Sequence, residues 1–389
     1  MNIIFGAGVV GKVITRHLLD NNIAVNYICD NNIEKDGEEI FGVKVIHSGD
    51  LIQFSPNDIF YIAVADIEDI VKQLHALGFD DWISASEVLN NADIDYESVV
   101  ESYEFVDYAV NSCKLCHDNY VTPEKIFFRS VDLIITEKCS LKCKDCSNLM
   151  QYYTTPVNYG IDELSPILDL FLSSVDEINE FRVIGGEPFV NKDIGQILIK
   201  IMDSDKVRRV VIYTNGTIIP RPHLIPILKD KKVLMLITDY GDLSKNTDKL
   251  ESMMIDNEIN YYRAPAQNWT DCSSITKHNR STIEQEDIFT RCCCKNLFTI
   301  QDGKFYRCPF SSHIDKLKAS ESLSNDYVTL SCHETSNDEV TRVRSEIHDL
   351  LRNRTYLESC DYCDGRFLED EKIVPGIQTK IPLEYVKVR

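Results

Sequence analysis

Three cysteines, Cys139, Cys143 and Cys146, lie within eight residues of one another in this 389-residue chain. Cysteine thiolates are the usual ligands of iron–sulfur clusters, and three of them would hold three irons of a four-iron cluster. The fourth iron would then lack a protein ligand, and an open metal position is where a metal site does chemistry. A zinc site is the alternative, and only Asp145 inside the motif offers a further ligand at zinc-finger spacing.

A second motif, Gly185-Gly186-Glu187-Pro188, directly follows a predicted strand over residues 180–184. Two glycines at a strand end allow a ligand to approach the backbone closely. A polar segment from Tyr213 to Gly216, which contains Asn215, follows the next predicted strand. The carboxyl ends of parallel strands in a barrel form one face, so these segments and the three cysteines are expected to meet there.

The cysteine triad and the glycine turn together resemble the radical S-adenosylmethionine (radical SAM) family, over roughly residues 128 to 368. The resemblance implies that the three cysteines bind a 4Fe-4S cluster whose open iron chelates SAM. It implies SAM contacts from the following residues: Gly185, Gly186, Glu187, Pro188 and Asn215. One position departs from the family pattern, since Asp145 stands where an aromatic residue often packs near the adenine.

The chemistry implied by this family is electron transfer into the SAM sulfonium, from a donor such as flavodoxin or ferredoxin. The products are methionine and a 5′-deoxyadenosyl radical, which abstracts hydrogen from an unactivated carbon. The cofactor carries the difficult step, while the protein supplies position and excludes water.

Four downstream cysteines, Cys294, Cys308, Cys360 and Cys363, would close a second cluster site. Asp302-Gly303 is a strong turn signal and predicts a hairpin between the first two of them. A hairpin flanked by cysteines, with a distant cysteine pair, resembles the twitch domain, a shorter relative of the SPASM domain with one auxiliary 4Fe-4S cluster. The neighbours of Cys294 in the run 292–294 leave the choice of ligand open, and structural zinc is the alternative metal.

The N-terminus carries a glycine turn, Gly6, Gly8 and Gly11, after a predicted strand, and Asp30 ends the second predicted strand. Such glycines can cradle phosphates at a helix N-terminus, and the acidic residue can bind a ribose hydroxyl. The segment from Ile28 onward also resembles small N-terminal domains of sugar and polysaccharide biosynthesis enzymes, which bind nucleotides or nucleotide-sugars. A Rossmann-like unit without a ligand, or one used for partner contacts, is the alternative.

Alternating strands and helices position these motifs and predict an α/β fold with an N-terminal Rossmann-like parallel sheet and a central partial (β/α) barrel of the radical SAM type. A small C-terminal cluster-binding domain follows. The predicted boundaries are a Rossmann-like domain at 1–90, a linker at 91–127, a radical SAM core at 128–288, a twitch-like domain at 289–368 and a tail at 369–389. The pair Cys113 and Cys116 in the linker is predicted to lie in an ordinary helix or loop.

Composition limits the partners. The net charge of −21 disfavours nucleic acid, which requires a basic footprint. No apolar run is long enough for a membrane helix, and the N-terminus lacks the features of a signal peptide. Fourteen cysteines without a secretory signal favour metal sites or catalytic thiols in a reducing cytoplasm.

These observations predict an oxidoreductase or epimerase that removes hydrogen from a carbohydrate or a nucleotide-linked sugar. A thiol that returns a hydrogen atom would give epimerisation, and Cys272 or one cysteine of the 292–294 run is the expected donor. The alternatives are radical SAM modification of a ribosomally made peptide and a non-catalytic zinc scaffold.

Overall fold

The computed structural model describes residues 1–90, 103–321, 323–330, 335–367 and 369–385. The chain divides into two compact units, Met1–Arg129 and Ser130–Arg389. None of the helices in the described ranges is long and apolar enough to cross a membrane.

The N-terminal unit contains a six-stranded sheet with the order β3-β4-β2-β1-β5-β6. Its strands are β1 (Asn2–Phe5), β2 (Tyr27–Asp30), β3 (Glu39–Ile40), β4 (Val43–His47), β5 (Ile59–Ile62) and β6 (Trp82–Ser84). Its helices are α1 (Val9–Asp20), α2 (Ile67–Ala76), α3 (Ala85–Leu89) and α4 (Tyr103–Val121). All pairs are parallel except β3 with β4, and the strand order reverses between β1 and β5. This arrangement is the Rossmann-type sheet that the alternation of strands and helices predicted.

Alternation along β1 explains why both faces of this sheet are covered. Ile4 packs with the apolar face of α1, whereas Ile3 and Phe5 pack on the opposite face with α2. Successive side chains of a strand point to opposite faces, so a short apolar run supplies two cores at once.

Helix α4 lies where the sequence predicted a linker. Val106, Val110 and Cys113 are buried at helical spacing, and polar residues between them gave the segment the composition of a connector. His117 accepts a hydrogen bond from the Ala85 backbone at 2.8 Å, and its Nε2 donates to the Val64 carbonyl at 2.7 Å. Burial lowers the pKa of His117 to about 4, so the neutral ring anchors the helix to the sheet. Residues 91–102 of the predicted linker lie outside the described residues.

The second unit contains an eight-stranded sheet with the order β11-β10-β9-β8-β7-β13-β14-β15. Strands β12 and β16 form a separate two-stranded sheet. The strands from β7 onward are β7 (Phe127–Thr136), β8 (Glu177–Gly185), β9 (Val207–Thr214), β10 (Val233–Asp239), β11 (Tyr261–Pro265), β12 (Trp269–Thr270), β13 (Phe298–Gln301), β14 (Lys304–Tyr306), β15 (Tyr327–Thr329) and β16 (Lys372–Ile373). The helices are α5 (Ile161–Ser174), α6 (Ile194–Met202), α7 (Ile225–Leu228), α8 (Thr247–Asp256), α9 (Thr282–Arg291), α10 (Pro309–Leu317) and α11 (Asn337–Arg352).

Strands β7 to β11 alternate with helices, as predicted for a partial (β/α) barrel. β8, β9, β10 and β11 pair in parallel, and β7 is buried without interruption from Ser130 to Thr136, as expected for a strand covered on both faces. The carboxyl ends of these strands share one edge, which is where such barrels place their chemistry.

The hairpin predicted around Asp302-Gly303 is present as β13 and β14. Both turn residues have positive φ, 52° and 72°, as a tight hairpin turn requires. β13 also pairs in parallel with β7, because Phe298 and Ile300 continue the buried apolar sheet. The segment predicted as a separate domain at 289–368 therefore extends the central sheet, within one compact unit. Part of the predicted tail is also structured, since β16 pairs with β12.

Candidate active site

A cavity of about 520 Å³ lies at the carboxyl ends of the barrel strands. Its wall contains eight thiols, those of Cys139, Cys143, Cys146, Cys272, Cys292, Cys294, Cys308 and Cys363. The structure thus brings together the predicted SAM-cluster ligands, most of the predicted auxiliary ligands and the predicted hydrogen donor. Cys360 is buried three residues before Cys363, in a short helical turn.

The loop after β7 surrounds its three thiols with N–H donors. The backbone N–H of Leu141 points at Cys139. The backbone N–H groups of Asn148 and Met150 point at Cys146. Burial raises the pKa of Cys139 to about 12 and that of Cys146 to about 11, so these thiols would ionise only beside a cation. Thiolate ligands and N–H groups directed at sulfur are the surroundings of an iron–sulfur cluster, and the three residues fit one.

The two glycines at the end of β8, Gly185 and Gly186, are required by the fold itself. Gly186 donates its N–H to the Thr136 carbonyl at 3.0 Å, and Glu187 donates to the Lys138 carbonyl at 2.9 Å. A Cβ on Gly185 would lie 2.1 Å from the Thr136 oxygen, and one on Gly186 would lie 2.3 Å from the Lys138 oxygen. Sequence reasoning assigned the glycines to close approach of a ligand, whereas here they let two strand-end backbones touch. Both glycines still line the cavity.

Glu187 and Pro188, which complete the predicted SAM-binding turn, are buried and are not part of the cavity lining. The Glu187 carboxylate is fully buried and accepts hydrogen bonds from the Thr214 hydroxyl at 3.0 Å, the Asn215 backbone at 2.9 Å and the Phe189 backbone at 3.2 Å. Burial raises its pKa to about 7, against these donors. Pro188 is buried at the start of a short helical turn. Through these hydrogen bonds the Glu187 carboxylate holds the ends of β8 and β9 together.

Asn215, the remaining predicted SAM contact, does line the cavity. Its amide nitrogen lies 3.6 Å from Cys139 Sγ and donates to Ser140 Oγ at 3.1 Å. Its amide oxygen accepts from the Thr217 backbone at 3.1 Å. The β9 end is thereby tied to the cysteine loop by side-chain contacts.

The downstream cysteines form a second group. Gly365 donates its backbone N–H to Cys363 Sγ at 3.3 Å, and Cys308 precedes α10. Burial, and after it the neighbouring Cys292, raise the pKa of both Cys308 and Cys363. Cys292 lines the same cavity as Cys294, Cys308 and Cys363, and the sequence did not single it out as a ligand.

Cys294, which was chosen, has different contacts. Its backbone N–H donates to Cys292 Sγ at 3.4 Å, and its own Sγ accepts from the Arg366 guanidinium at 3.5 Å. In the described ranges, no group of three or more His, Cys, Asp or Glu side chains is arranged to hold a single metal ion. Thiolates on different irons of a cluster stand farther apart than the ligands of one ion.

Cys272 is buried in the cavity wall beyond β12. Burial raises its pKa to about 11, although Arg366 acts in the opposite direction. The residue therefore presents a protonated thiol to the cavity, which is the form that can give up a hydrogen atom.

Sequence reasoning missed a buried ion pair in the cavity wall. Arg182 on β8 donates through Nε to Asp132 on β7 at 2.5 Å, and its guanidinium lies 5.9 Å from the ring centre of Tyr213. The signal was available, because Asp132 interrupts an apolar strand of the kind that is buried on both faces. Tyr240 and Trp269, with ring centres 5.9 Å apart, line the same cavity and were also missed.

The residues predicted to bind a nucleotide lie together in the N-terminal unit. Gly11 packs so closely that a Cβ would lie 1.8 Å from the Gly6 carbonyl oxygen, whereas a Cβ on Gly8 would meet nothing within 4 Å. Asp30 accepts hydrogen bonds from the backbones of Ala7 and Asn32, both at 2.8 Å, and from the Lys35 ammonium at 3.1 Å. Burial opposes ionisation, but these donors lower the pKa of Asp30. The carboxylate braces the glycine turn in this structure.

Comparison with known proteins identifies the same part of the chain, the cysteine loop and the strand ends around it. Residues 133–241 match the family described as the radical SAM superfamily. The chain contains a radical SAM domain. The matched segment runs from the last part of β7 to the end of β10, and so includes the triad, the glycine turn and Asn215.

Sequence relatives of this radical SAM domain include GTP 3′,8-cyclases. That of Stenotrophomonas maltophilia (strain R551-3) is 30% identical over 95 residues, which are 24% of this chain and 28% of the relative. The mitochondrial protein of Arabidopsis thaliana is 31% identical over 98 residues, 25% of this chain and 24% of the relative. The chain thus spans less than a third of the curated relatives it matches.

Two solved structures also align with the chain. BtrN in complex with AdoMet and 2-DOIA has a TM-score of 0.40 at 15% identity, over 62% of this chain and 94% of BtrN. SuiB of Streptococcus suis bound to S-adenosylmethionine has a TM-score of 0.31 at 16% identity, over 50% of this chain and 44% of SuiB. These TM-scores are too low to carry a functional argument.

Proposed function

We propose that this protein is a radical SAM enzyme that removes hydrogen from a carbon of a carbohydrate or nucleotide-linked sugar, by dehydrogenation or epimerisation. The observation that supports the proposal is the shared cavity. The thiols of Cys139, Cys143 and Cys146 face the same space as Cys272 and the downstream cysteines. A site that starts a radical and a group that ends it must both reach one substrate.

A cluster on the three cysteines, once reduced by an external donor, would supply the electron that cleaves SAM into methionine and a 5′-deoxyadenosyl radical. The residues of this chain then have separate tasks. Gly185, Gly186 and Asn215 form the wall beside the cysteine loop, where SAM would lie. Glu187 fixes that wall from behind through its bonds to Thr214 and the Asn215 backbone.

The rest of the cavity supports a small, polar substrate. Its volume of about 520 Å³ is in the range of small-molecule sites. Trp269 and Tyr240 offer aromatic faces to the C–H face of a sugar ring, and Asp132 with Arg182 offers an acceptor and a donor to hydroxyl groups. Arg366 adds a positive charge on the side of the downstream cysteines.

Two outcomes follow for the substrate radical. In dehydrogenation, the radical loses one electron and the neighbouring hydroxyl loses a proton, so that a carbonyl forms and the product lacks two hydrogens. An auxiliary cluster held by the downstream cysteines would accept that electron. In epimerisation, the Cys272 S–H bond breaks and hydrogen is delivered to the other face of the carbon. The resulting sulfur radical needs one electron from the external reductant and one proton from water to recover the thiol.

The test uses the full chain reconstituted anaerobically with iron and sulfide and supplied with dithionite, SAM and a panel of sugars and nucleotide-sugars. We expect substrate-dependent 5′-deoxyadenosine, with either a product lighter by two hydrogens or an isomer that carries one solvent deuterium in D₂O. Colourless, zinc-loaded protein that makes no 5′-deoxyadenosine would reject both enzyme hypotheses and leave the zinc scaffold. Cys272→Ala should abolish deuterium-labelled isomer, with Cys116→Ala as the control because Cys116 lies on α4 outside this unit.

A ribosomally made peptide is the alternative substrate for the same chemistry. Turnover of a precursor peptide in place of every sugar in the panel would favour it. The names of the sequence relatives concern GTP, but their match covers only about a quarter of this chain. The match therefore supports shared radical chemistry and does not identify the substrate.

For the N-terminal unit we propose nucleotide or nucleotide-sugar binding at the β1–α1 turn. The open space beside Gly8 and the absence of acidic residues from the first turn of α1 both favour an anion there. The Asp30 carboxylate supports the turn through the Ala7 N–H and does not need to contact the ribose.

A further inference from the structure

Residues 376–379 form a strap across the cysteine loop of the radical SAM domain. Lys144 donates its backbone N–H to the Ile377 carbonyl at 2.7 Å, and Thr379 donates to the Lys142 carbonyl at 2.6 Å. Cys143 and Gln378 are paired in an antiparallel bridge. The sequence predicted only a tail here, and the structure adds a short strand-like segment directly against a cluster ligand.

The Gln378 side chain continues this pairing and reaches the sulfur. Its amide oxygen accepts the Lys142 backbone N–H at 2.7 Å. Its amide nitrogen donates to the Gly376 carbonyl at 2.8 Å and to Cys143 Sγ at 3.2 Å. Because both ends of the amide have partners, the amide cannot turn over without losing them, and one N–H remains directed at the sulfur.

The strap is also held on both sides of Gln378. Gly376 has a φ of 76°, and a Cβ there would lie 3.1 Å from the Tyr240 ring, which lines the cavity. Further along, Leu383 donates its N–H to the Gln151 carbonyl at 2.7 Å, and the Tyr385 hydroxyl donates to the Leu317 carbonyl at 2.9 Å. The segment is therefore anchored to the loop that carries the triad and to α10.

We propose that Gln378 is a positioning residue that sets the reduction potential of the cluster held by Cys139, Cys143 and Cys146. An N–H group directed at a ligand sulfur stabilises the more negative, reduced form of a cluster, so it raises the reduction potential. The strap also covers Cys143, which is 8% exposed, and limits the access of water to that side of the loop. The inference rests on the proposed function, because it requires a cluster at the triad.

The test is a redox titration followed by electron paramagnetic resonance on the full-length protein. The signal of the triad cluster is identified as the one that SAM changes, since only that cluster has an open iron. Gln378→Met removes the N–H donor at similar length and should lower the reduced-to-oxidised ratio at a fixed potential about three- to tenfold. Tenfold corresponds to a shift of about 59 mV to more negative potential for one electron. Gln378→Glu keeps the acceptor for Lys142 and places a negative charge near the sulfur, so its shift should be larger.

Thr379→Val is the matched control. It removes the hydroxyl contact to the Lys142 carbonyl at 3.3 Å but keeps the backbone of the strap, so the potential should equal that of the unmodified protein. Unchanged potentials in both Gln378 variants would overturn the inference while the proposed function stands. If the Gln378→Met protein loses iron, the reduction potential of Gln378→Glu decides the question. Unmodified protein without a SAM-responsive signal would reject the proposed function itself.

Discussion

The buried carboxylate of Glu187 accepts a hydrogen bond from the backbone N–H of Asn215 at 2.9 Å, and this bond joins the ends of two neighbouring barrel strands. Glu187 comes just after β8, and Asn215 comes just after β9. The same carboxylate also accepts the Thr214 hydroxyl and the Phe189 backbone. Glu187 thus places Asn215, the residue that lines the cavity, while its own contact with SAM stays a prediction.

Glu187 should make stability depend on pH. Burial raises its pKa to about 7, from an ordinary value of 4.5, so between these values the folded chain keeps a proton that the unfolded chain has lost. The free energy of unfolding should therefore fall as pH rises from 4.5 to 7 and level off above, by at most about 3 kcal/mol. Glu187→Gln cannot ionise and should show no such slope, although one backbone N–H loses its acceptor at a cost of about 1–3 kcal/mol.

Urea unfolding from pH 5 to 8 measures this effect. The chain has two tryptophans, Trp82 and Trp269, so a Trp82→Phe background leaves fluorescence from the radical SAM unit alone. The difference in stability between the chain with its native Glu187 and the Glu187→Gln variant should shrink as pH rises. Parallel pH profiles for the two proteins would contradict the buried, proton-holding carboxylate.

Local patterns in the sequence predicted the strands and the segments at their ends. The triad follows β7, the glycine turn follows β8 and Asn215 follows β9, because apolar runs and glycines mark strand ends directly. What a side chain does at a strand end depends on partners far away in sequence. Gln378 lies 235 residues from Cys143, and no local pattern links the two.

Dependence on distant partners also explains why the role of the two glycines and the helix in the predicted linker were not predicted. Gly185 and Gly186 are needed because the Thr136 and Lys138 carbonyls approach them, which only the folded sheet reveals. Helix α4 carries its apolar residues as a narrow stripe, so its average composition resembled that of a connector. Asp132 was visible as a charge in an apolar strand, but its partner Arg182 lies 50 residues away.

Iron content should distinguish the ligands of the second cluster. Two four-iron clusters give about eight irons per chain. Cys363→Ala should leave about four and retain SAM cleavage, because the triad is untouched. Of Cys292→Ala and Cys294→Ala, we expect one to lose iron, because both residues line the cavity together with Cys308 and Cys363. Loss of iron in Cys294→Ala alone would support the ligand chosen from the sequence, and Cys116→Ala is the control.

The ion pair between Asp132 and Arg182 should be costly to break. Both side chains are largely buried, 10% and 16% exposed, so Asp132→Ala leaves a guanidinium without its partner and should lower the free energy of unfolding by about 3–5 kcal/mol. Replacing both residues, as Asp132→Leu with Arg182→Met, should recover most of the lost free energy of unfolding. The double variant should still lack substrate turnover. Urea unfolding in the Trp82→Phe background measures the first result, and substrate-dependent 5′-deoxyadenosine measures the second.

An exposed ion pair in the same unit provides the control. Arg291 and Asp287 lie 3.3 Å apart with side chains 52% and 61% exposed, so Asp287→Ala should change stability by less than about 1 kcal/mol. If Asp287→Ala and Asp132→Ala lower the free energy of unfolding equally, burial of the ion pair in the cavity wall does not make its loss more costly. Full turnover by the double variant would remove the pair from substrate binding.

Gly8 offers a test of the N-terminal unit that leaves the fold intact. It is exposed, and a Cβ at this position meets no atom within 4 Å, so both Gly8→Ala and Gly8→Glu should fold normally. Gly8→Glu places a negative charge at the start of α1, where a phosphate would compete with it for the helix N-terminus. In calorimetric titrations with UDP-glucose, GDP-mannose and ADP, the unmodified protein and Gly8→Ala should bind the same probe equally. Gly8→Glu should bind it at least about tenfold more weakly, which is about 1.4 kcal/mol. Equal binding by Gly8→Glu, or no binding of any probe by the unmodified protein, would leave the glycine turn with a purely structural role.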